Sequence, residues 1–186
     1  VTVLGVNTAP TISDQSFSVD ENSSVSGQVV ASDVDDDALT FNVVQGVSSG
    51  QLTFSAGGAF TYTPNAGFVG SDSVLVEVSD GLGGIAQAAI SFTVNNVNDA
   101  PVANDDAALE TDENTAITSA GLLLNDSDAD DDLLSITDAS ASNGSVTINS
   151  DGTVTYTPNT DFVGADTVIY TVSDGNGNQD ECTFNV

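Results

Sequence analysis

The sequence predicts an all-β chain of two tandem sandwiches, and three observations lead there. Several motifs return 92 to 95 residues later. Apolar and polar residues alternate in short runs along both halves. Val, Thr, Ser, Asp, Asn and Gly dominate, while Lys, Arg and Met are absent. That balance favours strands joined by Asx- and Gly-rich turns over helices.

The repeat sets the domain organisation. Tyr62-Thr63-Pro64-Asn65 returns as Tyr156-Thr157-Pro158-Asn159, Phe68-Val69-Gly70 as Phe162-Val163-Gly164, and Val78-Ser79-Asp80-Gly81 as Val172-Ser173-Asp174-Gly175, each 94 residues on. Asp20-Glu21-Asn22 recurs at Asp112-Glu113-Asn114. A self-similarity of this length means tandem domains of about 90 residues. Val1-Thr2-Val3 aligns with Phe92-Thr93-Val94, so residues 1–6 are expected to hold the end of a preceding repeat and its linker. Domain one is then expected over 7–97 and domain two over 98–186, as two periods of a longer array.

Each period reads as strands. Val74, Val76 and Val78 alternate with outward residues, as do Ile90, Phe92 and Val94. Val168, Tyr170 and Val172 do the same in the second period, followed by Cys182, Phe184 and Val186. Alternation with a period of two means sheets with one buried face. Gly57-Gly58 and Asp151-Gly152 fall between strand patterns and predict tight hairpins. About seven short strands in some 90 residues fit a Greek-key β-sandwich of immunoglobulin-like architecture. Cys182 aligns with Ile90 and is expected to be a small buried hydrophobe. Tyr62 and Tyr156 are expected to pack in the sandwich, and Asp72 and Asp166 to hold turns.

The charge is one-sided. Among 186 residues there are 28 carboxylates and no Lys, Arg or His, for a formal net charge of -28. No side-chain ion pair can form, so each carboxylate must find water, a backbone N–H or a cation. An apolar content of 39% is too high for a disordered acidic tail. Asp33, Asp35 and Asp37 follow a D-x-D-x-D spacing, and Asp128, Asp130 and Asp132 repeat it. Such a loop can turn alternate carboxylates toward one hard cation, which takes six to eight oxygen ligands. The competing reading is a solvated acidic turn. Recurrence in both repeats, with no base nearby to offset the repulsion, favours Ca²⁺.

These motifs resemble tandem cadherin-like repeats of large secreted bacterial surface adhesins. The likeness rests on Asn98-Asp99-Ala100-Pro101, Asp112-Glu113-Asn114-Thr115, Asn125-Asp126-Ser127-Asp128-Ala129-Asp130, Tyr156-Thr157-Pro158-Asn159 and Val172-Ser173-Asp174-Gly175. The resemblance implies Ca²⁺ between successive domains. One complete junction would draw on Glu21 from the first domain, Asn98 and Asp99 from the linker, and Asp128, Asp130 and Asp174 from the second, with Asp132 as an additional ligand. The upstream junction would use Asn7, Asp33, Asp35 and Asp80, with Asp37 beside them. Its linker carries Thr8 where the pattern has Asp, which implies a weaker site. Glu113 would serve a following domain. The Asp-Arg-Glu motif of vertebrate cadherins has no match.

The implied function is a non-enzymatic extracellular module: a Ca²⁺-stiffened stalk, adhesin or surface-fibre segment whose partners are the adjacent repeats. Two rivals stand beside it, a carbohydrate-binding module and a filament assembled from copies of the chain. Catalysis lacks candidates, since there is no His or Lys and the lone Cys182 is expected to face inward. The charge disfavours nucleic acid and anionic membranes. No apolar run reaches the roughly 18 residues of a membrane span. The absence of Lys rules out isopeptide staples, and a single Cys rules out an internal disulfide.

Overall fold

The computed structural model describes residues 5–186; the expectation that residues 1–3 end a preceding strand lies outside them. Every regular element among these residues is a strand. They fall into two compact units, the first ending at Val97 and the second spanning Asn98–Val186.

The first unit contains β1 (Thr11–Ile12), β2 (Gln15–Asp20), β3 (Val25–Gln28), β4 (Ala31–Ser32), β5 (Thr40–Gln45), β6 (Gly50–Phe54), β7 (Ala59–Pro64), β8 (Gly70–Ser79) and β9 (Ile85–Asn95). One sheet runs β2-β9-β8-β5 and the other β3-β7-β6, with β1 and β4 forming a short pair. Strand β2 lies parallel to β9, from Gln15 opposite Ile90 to Asp20 opposite Asn95. The core collects the inward residues of both sheets: Val74, Val76 and Val78 from β8, Ile90, Phe92 and Val94 from β9, and Phe60 and Tyr62 from β7. Tyr62 stacks on Phe92 with centroids 4.2 Å apart. Burying a side chain of this size contributes about 1.5–3 kcal/mol.

The second unit contains β10 (Ile117–Ser119), β11 (Ser135–Ala141), β12 (Gly144–Ile148), β13 (Val154–Pro158), β14 (Thr167–Ser173) and β15 (Gln179–Asn185). Its sheets are β11-β14-β15 and β10-β13-β12. Val168, Tyr170 and Val172 are buried, as are Cys182 and Phe184. Cys182 is the expected small core residue, and burial pushes its thiol up to about 11, far from a reactive thiolate.

The units differ where the first long strand should run. Phe17 and Val19 alternate in β2 and pack inward, Phe17 edge-on to Phe60. The matching stretch, Ala107-Ala108-Leu109-Glu110-Thr111-Asp112, has only Leu109 to bury. It forms no regular strand, and only the N–H groups of Asp106 and Leu109 reach the carbonyls of Thr183 and Asn185 on β15. Here the Tyr170 hydroxyl donates to Asp106 instead.

Asp72 and Asp166 hold turns, as expected. Asp72 accepts hydrogen bonds from the N–H groups of Ser48, Ser49 and Ser73 and from the Tyr62 hydroxyl. Asp166 accepts from the N–H groups of Asn143 and Thr167 and from the Tyr156 hydroxyl. Each tyrosine ring is buried and clamps the start of the neighbouring strand. At Gly144 a Cβ would sit 2.3 Å from the Tyr156 ring and 2.7 Å from the Thr157 carbonyl, so only glycine fits there.

Candidate metal centres

The two acidic loops are built alike. In the first unit Asp33 Oδ1 accepts the N–H of Asp35 at 2.8 Å; in the second, Asp128 Oδ1 accepts that of Asp130 at 2.8 Å. This Asx turn bends the chain two residues on. Asp36 and Asp131 then take φ of 59°, a left-handed conformation that Asp tolerates. The result folds alternate carboxylates together: one oxygen of each of Asp33, Asp35 and Asp37 lies within 4.8 Å of the others, and Asp128, Asp130 and Asp132 form an equivalent cluster.

A second loop, after β8 or β14, closes on each cluster. Asp80 is buried and accepts the N–H groups of Leu82 and Gly84 through Oδ1. Asp174 is buried too, and its Oδ1 accepts those of Asn176, Gly177 and Asn178. The linker side chain completes the arrangement. Asn7 donates to Asp80 Oδ2 at 2.8 Å, and Asn98 donates to Asp174 Oδ2 at 2.6 Å. The N–H groups of Thr8 and Asp99 donate to Asp35 Oδ2 and Asp130 Oδ2. The Asn7 amide, with those backbone donors, holds the Asp80 carboxyl below its ordinary range. Burial pulls Asp174 upward, but the bonds from Asn98 and the loop N–H groups outweigh it, so its carboxyl also titrates low. Both stay ionised well into acid.

Asp37 behaves oppositely. Desolvation, then the charges of Asp33, Asp35, Asp80 and Asp36, push it up. Asp33 Oδ2 and Asp128 Oδ2, matching atoms of the two loops, are buried without a hydrogen-bond partner. An unpartnered buried carboxylate oxygen is costly, and this chain has no side-chain base to offset it. Two orphaned oxygens, each among carboxylates and amide groups, make an all-oxygen donor set that fits a hard divalent cation.

Glu21 is buried in the first unit, where its Oε1 accepts the N–H of Val97 at 3.0 Å. Glu113 is exposed, and its carboxylate accepts no hydrogen bond among the described residues.

Residues 97–186 match the cadherin-like domain family, and residues 7–93 match the bacterial Ig domain family. The two matches adjoin, one a bacterial Ig domain over the first unit and the other a cadherin-like domain over the second. Similar solved structures include the protocadherin gamma B4 extracellular domain, 18% identical, covering 95% of this chain and 34% of that one with a TM-score of 0.56. Cadherin domains 3–6 of protocadherin gamma B2 are 13% identical, covering 95% of this chain and 46% of that one with a TM-score of 0.53. At these identities the likeness shows the fold. Integrin beta-like protein B of Dictyostelium discoideum is 30% identical over 118 residues, 54% of this chain and 6% of that protein. The chain thus spans a small fraction of that relative.

The two units also hold polar groups to which the sequence assigned no role. Asn178 Nδ2 reaches the carbonyls of Asn98 and Asp99 at 3.2 Å each. The first repeat has Gly84 at that position, where a Cβ would fall 2.7 Å from the Ala9 Cα, so the linker itself packs close there. Asp126 accepts the Asn104 N–H, and its Oδ2 is a third buried orphan. Burial, then the charges of Asp106 and Asp180, raise its pKa. Only the recurrence of Asn and Asp hinted at these groups, because their partners lie far away in the sequence.

Proposed function

We propose that this segment is a non-enzymatic part of an extracellular stalk, adhesin or surface fibre, in which Ca²⁺ fixes successive repeats over 7–97 and 98–186. The observation that carries the reading is the matched pair of buried, unpartnered oxygens, Asp33 Oδ2 and Asp128 Oδ2, in a chain without bases. Asn98, Asp99, Asp128, Asp130, Asp132 and Asp174 would hold the ion of the central junction, together with Glu21. Asn7, Asp33, Asp35, Asp37 and Asp80 would serve the upstream one, and Glu113 a repeat beyond. The bound cation supplies positive charge that offsets carboxylate repulsion and ties two repeats to one point. The protocadherin structures that share the fold are extracellular domains, which supports placement outside the cell. Cadherin-like and immunoglobulin-like domains are typically non-catalytic.

Asp99→Ala tests the junction. The variant is expected to keep both sandwiches folded by circular dichroism. In millimolar Ca²⁺ its small-angle scattering should give the broadened distance distribution that chelator gives the parent chain. An unchanged profile in the variant would remove Asp99 from the junction. A parent chain insensitive to chelator would remove Ca²⁺ altogether.

A further inference from the structure

The two acidic clusters differ in one side chain that neither the D-x-D spacing nor the linker explains. In the second repeat, Asn176 Nδ2 donates to Asp132 Oδ2 at 2.7 Å. The Asn176 N–H is itself fixed on Asp174 Oδ1 at 2.8 Å. One residue of the β14–β15 loop therefore ties together two carboxylates from distant parts of the chain. In the first repeat the same position, 94 residues earlier, is Leu82. Its N–H makes the same bond, to Asp80 Oδ1 at 2.8 Å. Its side chain is 66% exposed and cannot donate. Among the described residues nothing donates a hydrogen bond to the Asp37 carboxylate. The loops thus share a backbone and differ in whether the last Asp of the run is held.

We infer that Asn176 is a positioning residue for Asp132, and that it makes the second cluster the tighter cation site of the two. The inference rests on the cation reading above. An amide donor on one carboxylate oxygen fixes the rotamer and leaves the other oxygen oriented before an ion arrives. An unheld carboxylate must lose its rotamer freedom at the moment of binding. Hydrogen-bond partners of metal-ligating carboxylates change affinity by about 10–100-fold when removed. Asp37 lies in its cluster without such a partner, so the ion itself must fix its rotamer.

The test is calorimetric titration of the whole chain with CaCl₂. Asp128→Asn marks which binding class belongs to the second repeat, by abolishing it. Asn176→Leu is expected to weaken that class about tenfold and leave the other unmoved. Leu82→Asn is expected to tighten the first repeat's class. Both positions are exposed loop sites, and melting temperatures without Ca²⁺ should not change. Asp132→Asn supplies the discriminating readout: in its background Asn176→Leu should have no further effect, whereas a merely structural role for Asn176 would still lower affinity. Wild-type classes that Asn176→Leu leaves in place, or weakens equally, would overturn the inference and spare the cation reading. A wild-type chain that takes up no Ca²⁺ would overturn both.

Discussion

Asp72→Ala is expected to destabilise the first repeat by about 3–5 kcal/mol, with Asp166→Ala doing the same to the second. Asp72 is 6% exposed and Tyr62 is fully buried. The substitution leaves the Tyr62 hydroxyl and the N–H groups of Ser48 and Ser49 without their acceptor. The buried Tyr62 hydroxyl so stranded costs about 1–3 kcal/mol, with bonds to a charged acceptor at the upper end, and the part-buried Ser48 and Ser49 bonds add to the loss. A domain of this size has about 5–13 kcal/mol in all, so the loss takes a large share. Urea unfolding followed by circular dichroism measures it; a variant with the parental midpoint would show that the clamp is dispensable. The same carboxylates set an acid limit. Burial alone would raise Asp72, but the bonds from Ser48, Ser49 and Ser73 overcome it and hold its pKa below 3.8. Asp166 is lowered in the same way by Asn143, Tyr156 and Thr167. For an acid with a depressed folded pKa, the stabilisation is complete above the unfolded value, about 3.9. It drains away as pH falls from there through the folded value. Stability should therefore fall steeply below about pH 4, and Asp72→Asn should flatten that fall in the first repeat.

Chelation is expected to have the other large effect. At a Ca²⁺ concentration about tenfold above the dissociation constant, mass action adds about 1.4 kcal/mol per site. Extracellular Ca²⁺ modules bind at about 0.1–1 mM, so a few millimolar is the relevant range. For a repeat of this size, that free energy moves the melting temperature by about 5–10 °C. EGTA should lower the melting temperature by this amount, and Asp33→Asn with Asp128→Asn should make the chain indifferent to it. Equal melts with and without millimolar Ca²⁺ would end the cation reading.

The fold was legible because its signals are local and repeated. The alternating valines of β8 and β14 and the Gly57-Gly58 and Asp151-Gly152 turns declare themselves within a few residues. The clustering of Asp33, Asp35 and Asp37 was legible for the same reason, since an Asx turn needs only its own neighbours. The Asn176 bond to Asp132 was not, because its partners are 44 residues apart and meet only through the sheet. The missing strand at 107–112 was hidden by alignment to β2. Its two alanines occupy strand positions but bury too little to hold them against β15.

That missing strand changes how each repeat carries tension. Strand β2 is the first long strand of the first repeat and β9 its last, and they run parallel. A pull on the two chain ends therefore slides one strand along the other and loads their ladder in shear, from Gln15 to Asp20 at once. The corresponding edge of the second repeat has two backbone hydrogen bonds, those of Asp106 and Leu109, and Thr183 donating to the Asp105 carboxylate, in place of a ladder. Two sandwiches with nearly the same inward residues thus present unequal mechanical seams, and the second repeat has the weaker one.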